Sequence, residues 1–138
     1  MFVKQGRIKR LRNIIVSKGS KSYIIPVEEI MLFFYENRNV FAFTVKNEIL
    51  LCDIEMSRIV QEVGDVFFRI NRQVIINIEL IHSFTQESSY KIMIHPKISV
   101  SDMNLTVSKN NVLKFKEWVK YKNESFDDEF DLLESMVN

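Results

Sequence analysis

One stretch decides the fold of this 138-residue chain, and it reads Phe67-Phe68-Arg69-Ile70-Asn71-Arg72-Gln73-Val74-Ile75-Ile76-Asn77-Ile78-Glu79-Leu80-Ile81. Its residues 67–76 predict an extended segment, because Phe, Val and Ile are favoured in strands. Three polar residues, Asn71-Arg72-Gln73, interrupt this apolar run, and exposure at a loop or a sheet edge would explain them. Asn77 ends the run and is expected to bond backbone groups in a turn.

Strand patterns continue on both sides of this stretch. Apolar runs separated by short polar breaks predict strands at 13–17, 22–25, 30–36, 40–45 and 48–52 before it, and at 80–86, 90–95 and 105–107 after it. The aromatic residues of these runs are predicted to lie in the core: Phe33, Phe34, Phe41, Phe43, Phe67 and Phe68. These patterns are typical of a mostly β chain.

Two segments show helical periodicity instead. The first has one apolar face, made of Ile54, Ile59, Val60 and Val63. The second places Val112, Phe115 and Val119 on one side, with Trp118 near them. Ser108 precedes this second helix, and a hydroxyl there is expected to accept from the free amides of the first turn. We therefore predict one or two helices beside the strands.

The composition is that of a globular protein from a reducing compartment. Apolar residues make up 46% of the chain and include eleven Phe, which is enough for a real core. A single cysteine, Cys52, cannot form an internal disulfide. No apolar run reaches the roughly 18 residues of a membrane span, and the N-terminus lacks the pattern of a signal peptide. We expect a cytoplasmic protein that does not insert into membranes.

Catalytic constellations are missing from the sequence. The two histidines, His82 and His95, have no ligand spacing around them, and Cys52 lies in an apolar strand like a small buried hydrophobe. There is no glycine-rich phosphate loop and no nucleophile elbow. The sequence therefore predicts that the protein is not an enzyme and needs no metal or cofactor.

The charge is divided between the two ends of the chain. Residues 1–21 hold seven basic side chains and no acid, whereas residues 122–138 hold six acids and one Lys. We call residues 1–12 the basic arm and residues 122–138 the acidic tail. This asymmetry favours a nucleic-acid partner for the arm, although a solvated, solubilising tail has the same composition.

The central stretch resembles the signature of the LytTR DNA-binding family, in which a phenylalanine-rich lead-in precedes a polar tip and an apolar strand ending in Asn. Ile25-Pro26-Val27-Glu28-Glu29-Ile30 resembles the opening motif of that family, followed by an aromatic strand at 31–35. Leu105-Thr106-Val107-Ser108-Lys109 resembles its closing strand and helix cap, where the family more often has Arg in place of Lys109. Order and spacing hold from about residue 14 to residue 120.

The resemblance implies an elongated set of small, mostly antiparallel β-sheets with one or two helices, formed here by residues 13–121. It also implies that loops and a helix start contact two successive major grooves of a bent duplex. Family members often follow a receiver domain in response regulators. Only twelve residues precede the domain here, which leaves a standalone regulator and a fragment of a longer chain as alternatives.

Three polar segments and two neighbouring cations are the candidate DNA contacts. They are the first tip (Asn37, Arg38, Asn39), the second tip (Asn71, Arg72, Gln73), the helix start (Ser108, Lys109, Asn110, Asn111), and the nearby Arg69 and Lys114. Arg side chains match guanine edges, and Asn or Gln side chains match adenine. Free amides at a helix start suit a phosphate.

Each segment also has a structural explanation. The first tip has the composition of an ordinary hairpin turn, and the helix start is common on solvated helices. Arg69 fits an ion pair as well as a phosphate contact. We predict a bacterial transcription regulator that binds duplex DNA sequence-specifically as a homodimer. The runner-up is a protein-interaction module that retains the fold with weak or no DNA binding, since the net charge is only +1.

The acidic tail carries an apolar stripe at helical spacing, made of Phe126, Phe130, Leu133 and Val137. A lone helix of about a dozen residues is marginal in water, so the stripe needs a surface to pack against. The domain itself, a second copy and a regulatory protein partner are the three alternatives. A frayed tail is the fourth.

Overall fold

The computed structural model describes residues 10–100 and 102–122. Within them lie ten strands: β1 (Asn13–Lys18), β2 (Lys21–Pro26), β3 (Ile30–Glu36), β4 (Asn39–Thr44), β5 (Ile49–Cys52), β6 (Phe67–Asn71), β7 (Val74–Asn77), β8 (Ile81–Ser88), β9 (Lys91–Pro96) and β10 (Thr106–Val107). The two α-helices are α1 (Met56–Glu62) and α2 (Val112–Tyr121), and 3₁₀ turns lie at Val27–Glu29, Ile78–Leu80 and Lys109–Asn111. The prediction of a mostly β chain with one or two helices is confirmed. Residues 123–138 of the acidic tail and residues 1–9 of the basic arm lie outside the described residues.

The strands form two antiparallel sheets of unequal size. One has seven strands in the order β2-β1-β5-β4-β3-β7-β6, and the other has three in the order β10-β9-β8. Neighbouring strands in both are antiparallel, as the resemblance implied. None of the helices in the described residues has both the length and the apolar composition that a membrane crossing requires.

The prediction of one extended segment at 67–76 is wrong, because the chain reverses within it. Phe67 pairs with Asn77 and Phe68 with Ile76, so β6 and β7 form a hairpin that turns at Arg72 and Gln73. All four residues of β7 are buried. A strand covered on both faces shows no alternation that could locate the turn.

Two cores lie on opposite faces of the seven-stranded sheet, as the alternation along β3 shows. Phe33 belongs to the core that α1 covers with Met56 and Ile59. Leu32 and Phe34 belong to the core that the three-stranded sheet and α2 cover. Of the six predicted aromatic core residues, four are buried and two are half-buried: Phe33, Phe34, Phe43 and Phe67, then Phe41 and Phe68.

The helices are placed as predicted, with two corrections. Val60 was assigned to the apolar face of α1 but is 46% exposed, because the short helix turns Ile59 and Met56 inward instead. The Ser108 hydroxyl does not cap the backbone. It accepts from the side-chain amide of Asn111 at 3.0 Å, since a 3₁₀ turn separates Ser108 from α2.

Candidate nucleic-acid interface

The first tip is a tight turn between β3 and β4. Asn37 and Arg38 have φ angles of 51° and 65°. Two consecutive left-handed residues are the conformation that a two-residue hairpin requires. Asn39 donates its side-chain amide to the Asn37 carbonyl at 3.1 Å. The turn therefore holds the Arg38 side chain out into solvent.

The second tip is shaped by Arg69 from inside the hairpin. The Arg69 guanidinium donates from Nη2 to the Arg72 carbonyl at 2.7 Å and from Nε to the Asn71 carbonyl at 3.3 Å. These bonds fix the backbone where the chain enters the turn. Arg72 and Gln73 are exposed, and neither side chain hydrogen-bonds within the described residues. Arg69 therefore stabilises the turn from which the exposed side chains of Arg72 and Gln73 extend.

Asn71 connects the second tip to the other sheet. Its side-chain amide donates to the carbonyls of Asn104 at 3.0 Å and Thr106 at 2.8 Å. Its side-chain oxygen accepts from the Gln73 amide at 2.8 Å. Both polar atoms of Asn71 are thus bonded to protein. Asn77 is used in the same way, as predicted: it is buried and bonds the Ile30 carbonyl and the Glu79 amide.

Backbone hydrogen bonds bring the three polar segments together at one end of the domain. The Tyr35 amide donates to the Gln73 carbonyl at 2.9 Å, which joins the first tip to the second. The Ser108 amide donates to the Ile70 carbonyl at 2.8 Å, which joins the helix start to the second tip. Asn111 adds a side-chain bond to the Arg69 carbonyl at 3.3 Å. Segments that are far apart in sequence therefore form one polar surface.

The helix start presents its cations beside the β8–β9 hairpin. Lys109 Nζ lies 5.5 Å from the centre of the Tyr90 ring, within range of a cation–π contact. Lys116 donates to Gln86 of β8 at 3.0 Å. Lys109, Asn110 and Lys114 are exposed. The hairpin thus contacts the helix start and α2 through Tyr90 and Gln86.

Residues 20–120 match the family model of the LytTr DNA-binding domain. The chain belongs to the LytTR family. A solved structure with a similar fold is the LytTr DNA-binding domain of a protein described as a methyl-accepting/DNA response regulator from Bacillus cereus, with a TM-score of 0.67 and 11% identity over 79% of this chain and 97% of that one. At this identity the likeness shows the fold alone. No curated protein matches the sequence.

The LytTR family is a family of DNA-binding domains found in transcription regulators, not of enzymes. Nothing in the match reaches the acidic tail. Among the described residues no three His, Cys, Asp or Glu side chains come close enough to share a metal ion.

Two residues of the LytTR domain join the polar surface without having been predicted. Arg58 of α1 lines the same groove as Arg38, Arg69 and Arg72. Leu113, the second residue of α2, is 78% exposed beside the helix start. Leu113 does not belong to the apolar face that the sequence predicts for α2. Its position next to the polar helix start was the feature of the sequence that could have indicated an exposed Leu.

Ion pairs and burial set the charges around this LytTR surface. Arg58 donates to Glu62 at 2.9 Å, and this bond raises the pKa of Arg58 above its ordinary value. Asp53 and Glu55 also line the groove, so its four arginines face two unpaired carboxylates among the described residues. Burial raises the pKa of the Cys52 thiol to about 12, which favours its protonated form.

Proposed function

We propose that this chain is a transcription regulator whose LytTR domain binds a specific duplex DNA sequence through the first tip, the second tip and the helix start. The observation that carries the proposal is the hydrogen-bonded convergence of these three segments. Tyr35 bonds Gln73, and Ser108 bonds Ile70, so the three cannot separate without breaking the sheet. A surface that presents several arginines and amides in fixed positions is what base readout requires.

The base-reading residues are the ones whose side chains are exposed and not hydrogen-bonded within the described residues. Arg38 and Arg72 fit guanine edges, and Gln73 and Asn110 fit adenine edges. Asn37 has the same freedom. Leu113 supplies an apolar contact of the kind that recognises a thymine methyl group.

A second group of residues holds the base-reading residues in position. Arg69, Asn71 and Asn111 hydrogen-bond backbone groups in the second tip and in the segments beside it. The Ser108 hydroxyl accepts from the side-chain amide of Asn111. Asn39 is partly engaged with Asn37. Their direct contact with DNA stays a prediction. Lys109 and Lys114 complete the surface as cations for phosphate oxygens, which give affinity rather than sequence discrimination.

The experiment is a selection of binding sites from random duplexes, followed by affinities for the selected and a scrambled duplex at one salt concentration. We expect the wild type to prefer the selected duplex and Arg72→Ala to lose that preference. Lys46→Ala is the matched control, because Lys46 lies in the turn at the opposite end of β4 from the first tip. Equal affinity of the wild type for both duplexes would favour the protein-interaction module. The stoichiometry on the selected duplex tests the predicted homodimer.

A further inference from the structure

A half-apolar groove lies beside the last turn of α2. Half-buried Ile78, Ile81, Phe84 and Val119 line it, with Lys97 and Lys122 at its edge. His82 and Glu79 also line the groove. Lys97 forms no ion pair within the described residues. The groove therefore offers apolar side chains and the cation of Lys97, with Glu79 as the one carboxylate of its lining.

The described part of the chain ends at this groove. Lys122 is the last described residue and lines the groove itself. It is held by an ion pair with Asp65 and by its amide, which donates to the Trp118 carbonyl at 2.9 Å. Trp118 in turn donates from Nε1 to the Asp65 carbonyl at 2.7 Å. The sixteen residues that follow thus start from a fixed point on the groove.

The sequence that follows matches the groove in pattern and in charge. Phe126 comes seven residues after Val119, close to two helical turns, so both fall on the same side of a helix. Phe130, Leu133 and Val137 continue that side. The same segment carries six acids, opposite in sign to Lys97. The apolar stripe of the acidic tail is therefore in phase with the buried stripe of α2.

We propose that residues 123–138 dock into the groove of their own domain, where Phe126 and Phe130 cover Ile81 and Phe84 and the acids face Lys97. The domain's own segment is favoured as the occupant because Phe126 follows Lys122 by only four residues. A short tether gives an effective concentration of the order of millimolar, which a partner from solution rarely reaches.

Docking at this groove leaves the candidate DNA interface uncovered. The helix start and the groove lie at opposite ends of α2, whose ten residues span about 15 Å. The tail is thus a stabilising element of the domain. It should not lower DNA affinity, which makes the inference independent of the proposed function.

A double-mutant cycle in the full chain tests the docking by thermal unfolding. We expect Ile81→Ala and the tail variant Phe126→Ala/Phe130→Ala each to lower the Tm by about 3 °C, and the combined variant to lower it by little more than one of them. Lys97→Glu changes an exposed residue and spares the core. Combined with the tail variant, it should also lower the Tm by little more than one of the two changes alone. Ile24→Ala, at a residue 73% exposed on the edge strand β2, is the control and should add independently to the tail variant.

Three results would overturn the inference. Additive losses for Ile81 and the tail would show that the two do not touch. A tail variant with an unchanged Tm would show that the segment is not docked. A coupling that appears only at high protein concentration, together with a dimer in light scattering, would assign the groove to the tail of a second copy.

Discussion

The side-chain amide of Asn71 donates to the backbone carbonyl of Thr106 at 2.8 Å, across 35 residues of sequence. This bond joins the tip of the β6–β7 hairpin to β10, an edge strand of the smaller sheet. With the bond to Asn104 it closes the space between the second tip and the loop that leads to the helix start. The second tip is therefore held by two sheets at once.

Removing the Asn71 side chain should destabilise the folded domain more directly than it affects DNA contacts. Asn71→Ala leaves the carbonyls of Asn104 and Thr106 without their donor, so we expect the free energy of unfolding to fall by about 1–2 kcal/mol. Urea denaturation measures it. Asn39→Ala is the control, because its bond to Asn37 is local and exposed and should cost less. Equal midpoints for wild type and Asn71→Ala would contradict this role.

Variants of Arg72 and Arg69 should distinguish a residue that contacts DNA from one that stabilises the fold. Arg72→Ala is expected to weaken binding to the selected duplex by roughly 1–3 kcal/mol without changing the Tm, because the side chain bonds no described residue. Arg69→Ala should lower both affinity and Tm, because it removes two bonds to the tip backbone. Fluorescence anisotropy and thermal unfolding report the two effects. An Arg72 variant that unfolds early would make Arg72 structural.

Arg38 offers a variant with opposite effects on folding and binding. Its φ of 65° costs a non-glycine residue about 1 kcal/mol. Arg38→Gly should therefore unfold at higher urea than Arg38→Ala, while both lose affinity for the selected duplex. Should Arg38→Ala bind as tightly as the wild type, the first tip would be only a hairpin turn.

Asp65 should make stability depend on pH in the acid range. The hydrogen bond from Lys122 lowers the pKa of Asp65 below its ordinary value, so the folded state favours the ionised carboxylate. This contribution is complete above the ordinary pKa of 3.8 and is lost as the pH falls through the folded value. We expect Asp65→Asn to lower the Tm by about 2 °C at neutral pH, since the Asp65 side chain is 72% exposed. A Tm difference that persists at pH 2 would point to a cause other than ionisation.

The basic arm should contribute charge rather than recognition. Leu11 packs against the core that α1 covers, and its amide donates to the backbone carbonyl of Glu62 at 2.6 Å, so the deletion should stop at residue 9. Removing residues 1–9 takes away Lys4, Arg7 and Lys9. The slope of log affinity against log salt should become shallower by about 1–3, equally for selected and scrambled duplexes. An unchanged slope would leave the arm without phosphate contacts.

The sequence by itself determined the strands, the two helices and the three polar segments of this protein. Strand composition, helical period and turn chemistry are local, and Asn37-Arg38 or Ser108-Lys109 can be identified within a few residues of sequence. The polar triplet Asn71-Arg72-Gln73 marks the turn inside 67–76, but the sequence did not show that the chain reverses there, because burial on both faces of β7 leaves no alternation that separates two strands from one.

Only the tertiary structure decided how the polar residues divide their tasks. Asn71 finds its partners 33 and 35 residues away, and Asn111 finds Arg69 across 42. Arg69 and Arg72 have the same side chain, yet Arg69 bonds the tip backbone and the Arg72 side chain forms no hydrogen bond within the described residues. The pairing of β3 with β7 places the first tip beside the second. Strand pairing is a long-range choice, because it depends on which buried faces fit together, and local sequence does not carry that information.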